Sequence, residues 1–177
     1  MTQSGSAERI AYFDAHGVAL TEDIMPMDGV DESVLAGFAK LMEAGADAEG
    51  DAERVRCLFR QPGPQGLSLC RAWFKSGFIL PRHSHDADCV YYITGGSINI
   101  GNRTLSAGEG FFIPKDVPYS YQAGPEGVEI LEFRNAAQFN ILFGNNDERH
   151  WNRMADAIRD HAPDWSEQTR PPLARKN

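Results

Sequence analysis

Apolar positions change their rhythm twice along the chain. Residues 1–30 are polar apart from a short patch at Ile10–Phe13, without a sustained period, and read as an irregular arm. Asp31 then stands where a helix N-cap belongs. Val34, Leu35, Phe38, Leu41 and Met42 follow at i, i+1, i+4, i+7 and i+8, one apolar stripe of a helix that Gly45 would end. Ala46–Glu53 is small and acidic, a linker by composition. From Arg54 the period becomes two. Val55–Arg60, Leu67–Lys75, Val90–Thr94, Ser97–Ile100, Gly110–Ile113, Tyr119–Gln122 and Val128–Arg134 are short and rich in β-branched or aromatic residues. Turn signals separate them at Pro62-Gly63-Pro64, Gly95-Gly96, Gly101-Asn102, Ala107-Gly108 and Gly124-Pro125. Strands so spaced, with no long helices alternating between them, predict an all-β barrel or sandwich and disfavour a parallel α/β sheet.

The rhythm returns to a helical one near the end. Trp151, Met154, Ala155 and Ile158 mark a second amphipathic helix, capped near Asp147 and stopped before Pro163. The last dozen residues carry no pattern and are expected to be disordered. The chain thus divides into an N-terminal arm and helix (1–53), a β-barrel (54–145), and a C-terminal helix and tail (146–177).

Composition narrows the class. The 177 residues hold 17 Lys or Arg against 25 Asp or Glu, a net charge of -8, which argues against a phosphate-backbone partner. There is neither a run of apolar residues long enough for a membrane span nor a basic start followed by an apolar core, so no membrane partner and no signal peptide are expected. The three cysteines, Cys57, Cys70 and Cys89, cannot all pair within the chain, and such sparse use fits a reducing compartment. The expectation is a cytoplasmic protein.

Candidate chemistry centres on His83-Ser84-His85. Two positions apart on a strand, side chains share a face at about 6.5–7 Å between Cα atoms, close enough for both imidazoles to converge on one ion. If the strand continues, Ala87, Cys89 and Tyr91 share that face; a bulge would bring Asp88 in instead.

Two separated segments around this pair resemble the motifs of the cupin family. The first family motif reads G-x5-H-x-H-x3,4-E-x6-G; here Gly77, five residues, His83-Ser84-His85, three residues, Cys89, six residues, Gly96. The second reads G-x5-P-x-G-x2-H-x3-N; here Gly108, five residues, Pro114, Lys115, Asp116, two residues, Tyr119. The resemblance covers roughly residues 54–134. It implies a double-stranded β-helix, a jelly-roll-like barrel, flanked by the two helices. It also implies one divalent transition metal (iron, zinc, copper, nickel or manganese), held in the family by two histidines and a glutamate of the first motif and a histidine of the second. His83 and His85 match; Cys89 stands at the glutamate position and Tyr119 at the last histidine position.

Several readings of that altered set stay open. A metal is held by His83, His85 and Cys89, with Tyr119 as fourth ligand or beside an open position. A thiolate ligand favours soft or borderline ions. In a variant, Asp88 or Asp86 completes a two-histidine, one-carboxylate set. Alternatively there is no metal, and the histidines serve a small ligand as hydrogen-bonding or acid–base groups. Taken singly, Cys89 and Tyr119 also fit ordinary packing roles.

Tyr91 and Tyr121 have the parity to line the pocket and stack on a planar substrate. Glu132 and Arg134, two apart on one strand, have the parity to point inward together and bind a polar substrate, but an exposed pair at a sheet edge is the expectation. His16, His150 and His161 are expected at the surface. The resemblance implies a metal-dependent enzyme of dioxygenase, isomerase or lyase type acting on a small polar or aromatic molecule. The alternative is a non-catalytic small-molecule binding or sensing barrel with a degenerate metal site. A homodimer is expected, with Val55–Arg60 placed to pair across subunits. The first helix is expected to cover its own barrel.

Overall fold

The computed structural model describes residues 10–46, 53–61, 63, 66–144 and 146–173. Along them run β1 (Val18–Ala19), β2 (Met27–Asp28), α1 (Glu32–Glu43), β3 (Glu53–Arg60), β4 (Ser68–Phe74), β5 (His83–Ser84), β6 (Cys89–Ile100), β7 (Arg103–Ser106), β8 (Gly110–Ile113), β9 (Gln122–Arg134), β10 (Ile141–Phe143) and α2 (Glu148–His161). A 3-10 segment at Ala162–Glu167 follows. One sheet has the order β1-β3-β4-β9-β6-β7, with β8 also on β6; a smaller one has the order β2-β10-β5. All pairs are antiparallel except β2 with β10. This is the expected all-β barrel of cupin type with a helix at either end. No helix among the described residues is long and apolar enough to cross a membrane.

Strand alternation builds the core. On β6, Cys89, Tyr91 and Ile93 point inward while Val90 and Tyr92 stay exposed; Ala72 and Phe74 of β4 and Val128 and Ile130 of β9 meet them inside. Each large side chain fully buried there contributes about 1.5–3 kcal/mol. Two expected turns lie inside strands instead. Gly95-Gly96 falls within β6, where the register with β9 shifts on either side, so the extra residues are absorbed as bulges. Gly95 is also where the C-terminal tail closes over the sheet: a Cβ there would sit 1.9 Å from the Pro172 carbonyl oxygen. Gly124-Pro125 lies within β9. At the turn after β8, Asp116 holds the left-handed backbone (φ 63°) at the position where the family motif has glycine. Aspartate tolerates this conformation better than most side chains.

Both helices start as expected, with Asp31 accepting from the Val34 N–H at 2.9 Å and Asp147 from the His150 N–H at 2.7 Å. The buried face of α1 is narrower than its apolar stripe: Val34, Gly37 and Leu41 are buried, whereas Leu35 and Met42 are exposed. Gly37 lets α1 approach the Trp151 ring, which a Cβ would meet at 2.1 Å. Phe38 crosses edge-on to Phe143 (5.2 Å between centroids) and Trp151 (5.7 Å), so α1 covers its own barrel. The expected disorder of the last dozen residues does not hold as far as Pro172, which packs against Gly95 and Gly96, and the residues just before it are anchored too. Trp165 is buried, its indole N–H donates to the Ser76 carbonyl at 3.0 Å, and Gln168 bonds the Ser76 hydroxyl at 2.8 Å. Residues 174–177 lie outside the described residues. Nor is β3 an open edge throughout: β1 pairs with it at Arg56 and Cys57.

Candidate functional site

β5 places the histidines. Its two residues pair with β10 on one side, and on the other His83 and Tyr119 exchange backbone bonds of 3.1 and 2.9 Å. The two imidazole rings of the His-x-His segment stand 4.9 Å apart at 73°. Both are buried and line a cavity of about 230 Å³ with Tyr119, Glu132 and Arg134; the rest of its wall is mostly apolar, including Phe38, Phe74, Leu80, Phe139 and Phe143.

The hydrogen bonds fix the protons. His83 Nδ1 lies 2.7 Å from the Pro81 carbonyl, and His85 Nδ1 bonds the Asn140 carbonyl. A carbonyl only accepts, so Nδ1 carries the proton in both rings and each Nε2 is an acceptor. The Tyr119 hydroxyl, 3.0 Å away, therefore donates to His83 Nε2. That leaves the Tyr91 hydroxyl to donate to Tyr119 at 2.5 Å. Arg134 Nη2 in turn points at the Tyr91 oxygen (3.5 Å) and at His85 Nε2 (3.4 Å). One directed chain thus runs from Arg134 through Tyr91 and Tyr119 to His83.

Glu132 and Arg134 are buried, contrary to the expected exposed pair. Arg134 Nη1 lies 2.7 Å from Glu132 Oε2, with side-chain exposures of 2% and 9%. The guanidinium also sits 4.1 Å over the Phe139 ring. Two charges can be buried here because each is the other's counter-ion. A signal was present: both share the parity of Val128 and Ile130, which are inward.

Burial sets the protonation of the site. It pushes the His83 imidazole down to about 4, and the Arg134 charge adds to this against the Pro81 bond. Burial, then Arg134 and His83, push His85 down to about 2. Both rings are neutral at pH 7. Burial, seconded by Glu132, raises the Tyr119 phenol, and burial, then Tyr119, raises that of Tyr91. For Arg134, burial opposes the charge, but Glu132 holds it well above the usual value.

The other predicted residues fall elsewhere. The chain turns at Asp86–Asp88, so β6 does not continue the histidine strand. Asp86 exchanges bonds with Asn140, and Asp88 accepts from the Lys115 N–H at 2.9 Å, so the carboxylate variant finds both carboxylates engaged away from the imidazoles. The Cys89 thiol turns to the Val90 carbonyl (3.7 Å), and burial pushes it up to about 12. Cys89, Tyr91 and Tyr121 do not line the cavity. Tyr91 stacks on Phe111 at 4.5 Å and braces Tyr119 from behind; Tyr121 stacks on Tyr119 at 6.3 Å.

A metal ion would have to take His83 Nε2 and His85 Nε2. The tautomers suit that role, since a carbonyl on Nδ1 is the usual support of a ligating histidine. The remaining donors do not fit a divalent ion. Among the described residues no three His, Cys, Asp or Glu side chains come together as a ligand set. A permanent cation already stands 3.4 Å from one imidazole nitrogen. Repulsion at 4 Å is about 4 kcal/mol per unit of metal charge in a moderately screened site, and Glu132 offsets it only in part.

No model of a known protein family matches the chain, and no curated protein matches it. Among solved structures it is similar to an RmlC-like cupin from Shewanella frigidimarina (23% identity, 49% of this chain and 78% of that one, TM-score 0.39). It is similar also to KdgF from a Halomonas species (20%, 49% and 83%, 0.42). A third is the polyketide cyclase RemF from Streptomyces resistomycificus (18%, 60% and 84%, 0.49). The strand order and the two motif segments define the class, a cupin-type β-barrel. Within that class, this chain is a barrel whose interior carries an imidazole pair beside a buried arginine–glutamate pair.

Proposed function

We propose that the barrel binds a small amphipathic molecule without a metal. The observation that carries this reading is the polar end of an otherwise apolar cavity of about 230 Å³, made by His83, His85, Tyr119, Glu132 and Arg134. Such a division between an apolar wall and a few convergent polar groups is the usual form of a small-molecule site. The apolar body of the ligand rests on Phe38, Phe74, Phe139 and Phe143. Its head inserts between Tyr119 and His83, donating to the bare imidazole Nε2 and taking the Tyr119 proton in its place, or accepts from Arg134, which suits a phenol, a hydroxy ketone or a hydroxy acid. With Glu132 beside Arg134 the site is close to charge-balanced, so it does not demand a full anion.

Protein purified without a chelating column is the material for the test. Elemental analysis is expected to find less than stoichiometric iron, zinc, copper, nickel or manganese. A panel of small phenols, hydroxy ketones and hydroxy acids is expected to contain compounds that raise the melting temperature, by the equivalent of about 2.7 kcal/mol at a hundredfold excess over Kd. His83→Ala should abolish that shift. One metal per chain, lost in His83→Ala and His85→Ala, would overturn this reading and restore the metal-dependent enzyme.

Self-association belongs to the same proposal. Val90, Phe112 and Phe133 are exposed and lie side by side across β8, β6 and β9. Such a row can cover itself in a two-fold homodimer. Sedimentation should give a dimer for the parent and a monomer for Phe133→Lys; a monomeric parent removes the idea.

A further inference from the structure

Cys57 and Cys70 are direct register partners across β3 and β4, free and buried. Directly opposed residues of an antiparallel pair hold their Cα atoms about 4.5–5.5 Å apart, within the roughly 4.4–6.8 Å that a disulfide spans. The two thiols also touch. Cys57 turns its S–H to the Phe59 carbonyl at 3.5 Å, so its sulfur is free to accept from Cys70. That bond lowers the Cys57 thiol from its usual range and, with burial, raises that of Cys70. Cys57, on the strand nearer the sheet edge, is the one placed to attack, and Cys70, one strand further in, to resolve. Cys89 lacks a thiol partner of this kind, its Sγ resting on the Val90 carbonyl.

Access is provided by the edge. The outer neighbour of Cys57 is Val18 of β1, a strand of two exposed residues. Cys57 is buried with Ile24, Ala87 and Phe139, so reaching it takes local opening of this short edge strand together with the Leu20–Met25 segment that follows it.

We propose that Cys57 and Cys70 form a redox dithiol that a hydroperoxide closes into a cross-strand disulfide. The Cys57 thiolate attacks the peroxide: an S–O bond forms, the O–O bond breaks, and hydroxide leaves to take up the proton the thiol gave up. The Cys70 sulfur then attacks the sulfenic sulfur; the S–S bond forms, the S–O bond breaks, and the second oxygen departs as water with the Cys70 proton. Two thiols are oxidised by two electrons, and hydrogen peroxide is reduced to two waters. Thioredoxin-type or small-molecule dithiols reverse the step by exchange.

The disulfide lies under the polar end of the cavity. Cys57 and Cys70 share a small core cluster with Phe139, whose ring lies beneath Arg134 and edge-on to His85 at 5.6 Å. Cys70 is also the register partner of Glu132. Closure of the bond is therefore felt at the proposed ligand head, a consequence that rests on the binding reading above.

The test uses the folded, reduced full chain treated with hydrogen peroxide, then denatured, alkylated and mapped by mass spectrometry. Two of its three thiols should disappear. The linked peptides should be those of Cys57 and Cys70, Cys89 should remain alkylated, and dithiothreitol should restore all three. Cys70→Ala should leave Cys57 as a sulfenic acid that dimedone traps. Cys57 and Cys70 both alkylated after peroxide, a bond that includes Cys89, or a bond formed between chains overturns the proposal. The parent chain alone decides it, whether or not the variant folds. No ligand enters the assay, so its failure is distinct from failure of the binding reading, which is seen only in the thermal shifts.

Discussion

Arg134 faces Glu132 at 2.7 Å from the next inward position of the same strand, and the pair closes the polar end of the cavity. Burial takes both charges largely out of bulk solvent. Arg134→Met leaves a buried carboxylate without its counter-ion and is expected to cost about 3–5 kcal/mol in urea unfolding, while Glu132→Leu with Arg134→Met together recovers most of it. A single variant within 1 kcal/mol of the parent would mean that the pair is more hydrated than its burial implies.

Tyr119 stands between two partners, accepting from Tyr91 and donating to His83. Tyr119→Phe removes both bonds and leaves the buried His83 nitrogen without its partner. The expected loss is about 1–3 kcal/mol, with the His83 ring still neutral at pH 7. A nitrogen-15 spectrum of the parent should show Nδ1 protonated and Nε2 bare in both rings; the opposite tautomer at His83 would reverse the proton chain.

Stability should fall as the solution is acidified below about pH 6.5. The imidazoles are neutral in the fold, with His83 lowered to about 4 and His85 to about 2, whereas in the unfolded chain they titrate near 6.5. The unfolded state therefore binds more protons below 6.5, and stability present above that pH is lost as pH drops toward the folded values. Each ring contributes a slope approaching about 1.4 kcal/mol per pH unit. Urea midpoints between pH 7 and pH 4.5 measure this, and His85→Asn should flatten the slope by about one proton. An unchanged slope in that variant would show that His85 is not buried neutral.

The C-terminal tail should be part of the folded unit. The Lys75 ammonium donates to the Trp165 carbonyl at 2.8 Å, and the Trp165 ring packs near Phe78 at 6.4 Å. Trp165→Ala is expected to cost about 3–5 kcal/mol. A change below 1 kcal/mol, read by thermal melting, would mean that the tail only rests on the barrel.

What the residues alone determined is what neighbours in sequence decide. Asp31 and Asp147 cap the helices because the bond they accept closes within three residues, and Trp151, Met154, Ala155 and Ile158 show one face because a helix repeats every 3.6 positions. The alternation of β6 and of the Val128–Arg134 part of β9 made the barrel legible, and the spacing of His83 and His85 put them on one wall. Tertiary structure decided the rest. A period of two separates the faces of a strand but does not say which is inside, and Glu132 with Arg134 points in while Phe133 points out. Gly95-Gly96 became bulges because β9 runs past them as a partner, a contact about thirty residues distant in sequence. Cys89 and Tyr91 left the histidine face because the chain turns at Asp86–Asp88, where Asn140 and Lys115 hold the carboxylates. Whether two charges survive inside a barrel depends on a partner at hydrogen-bonding distance, and only the folded chain supplies that distance.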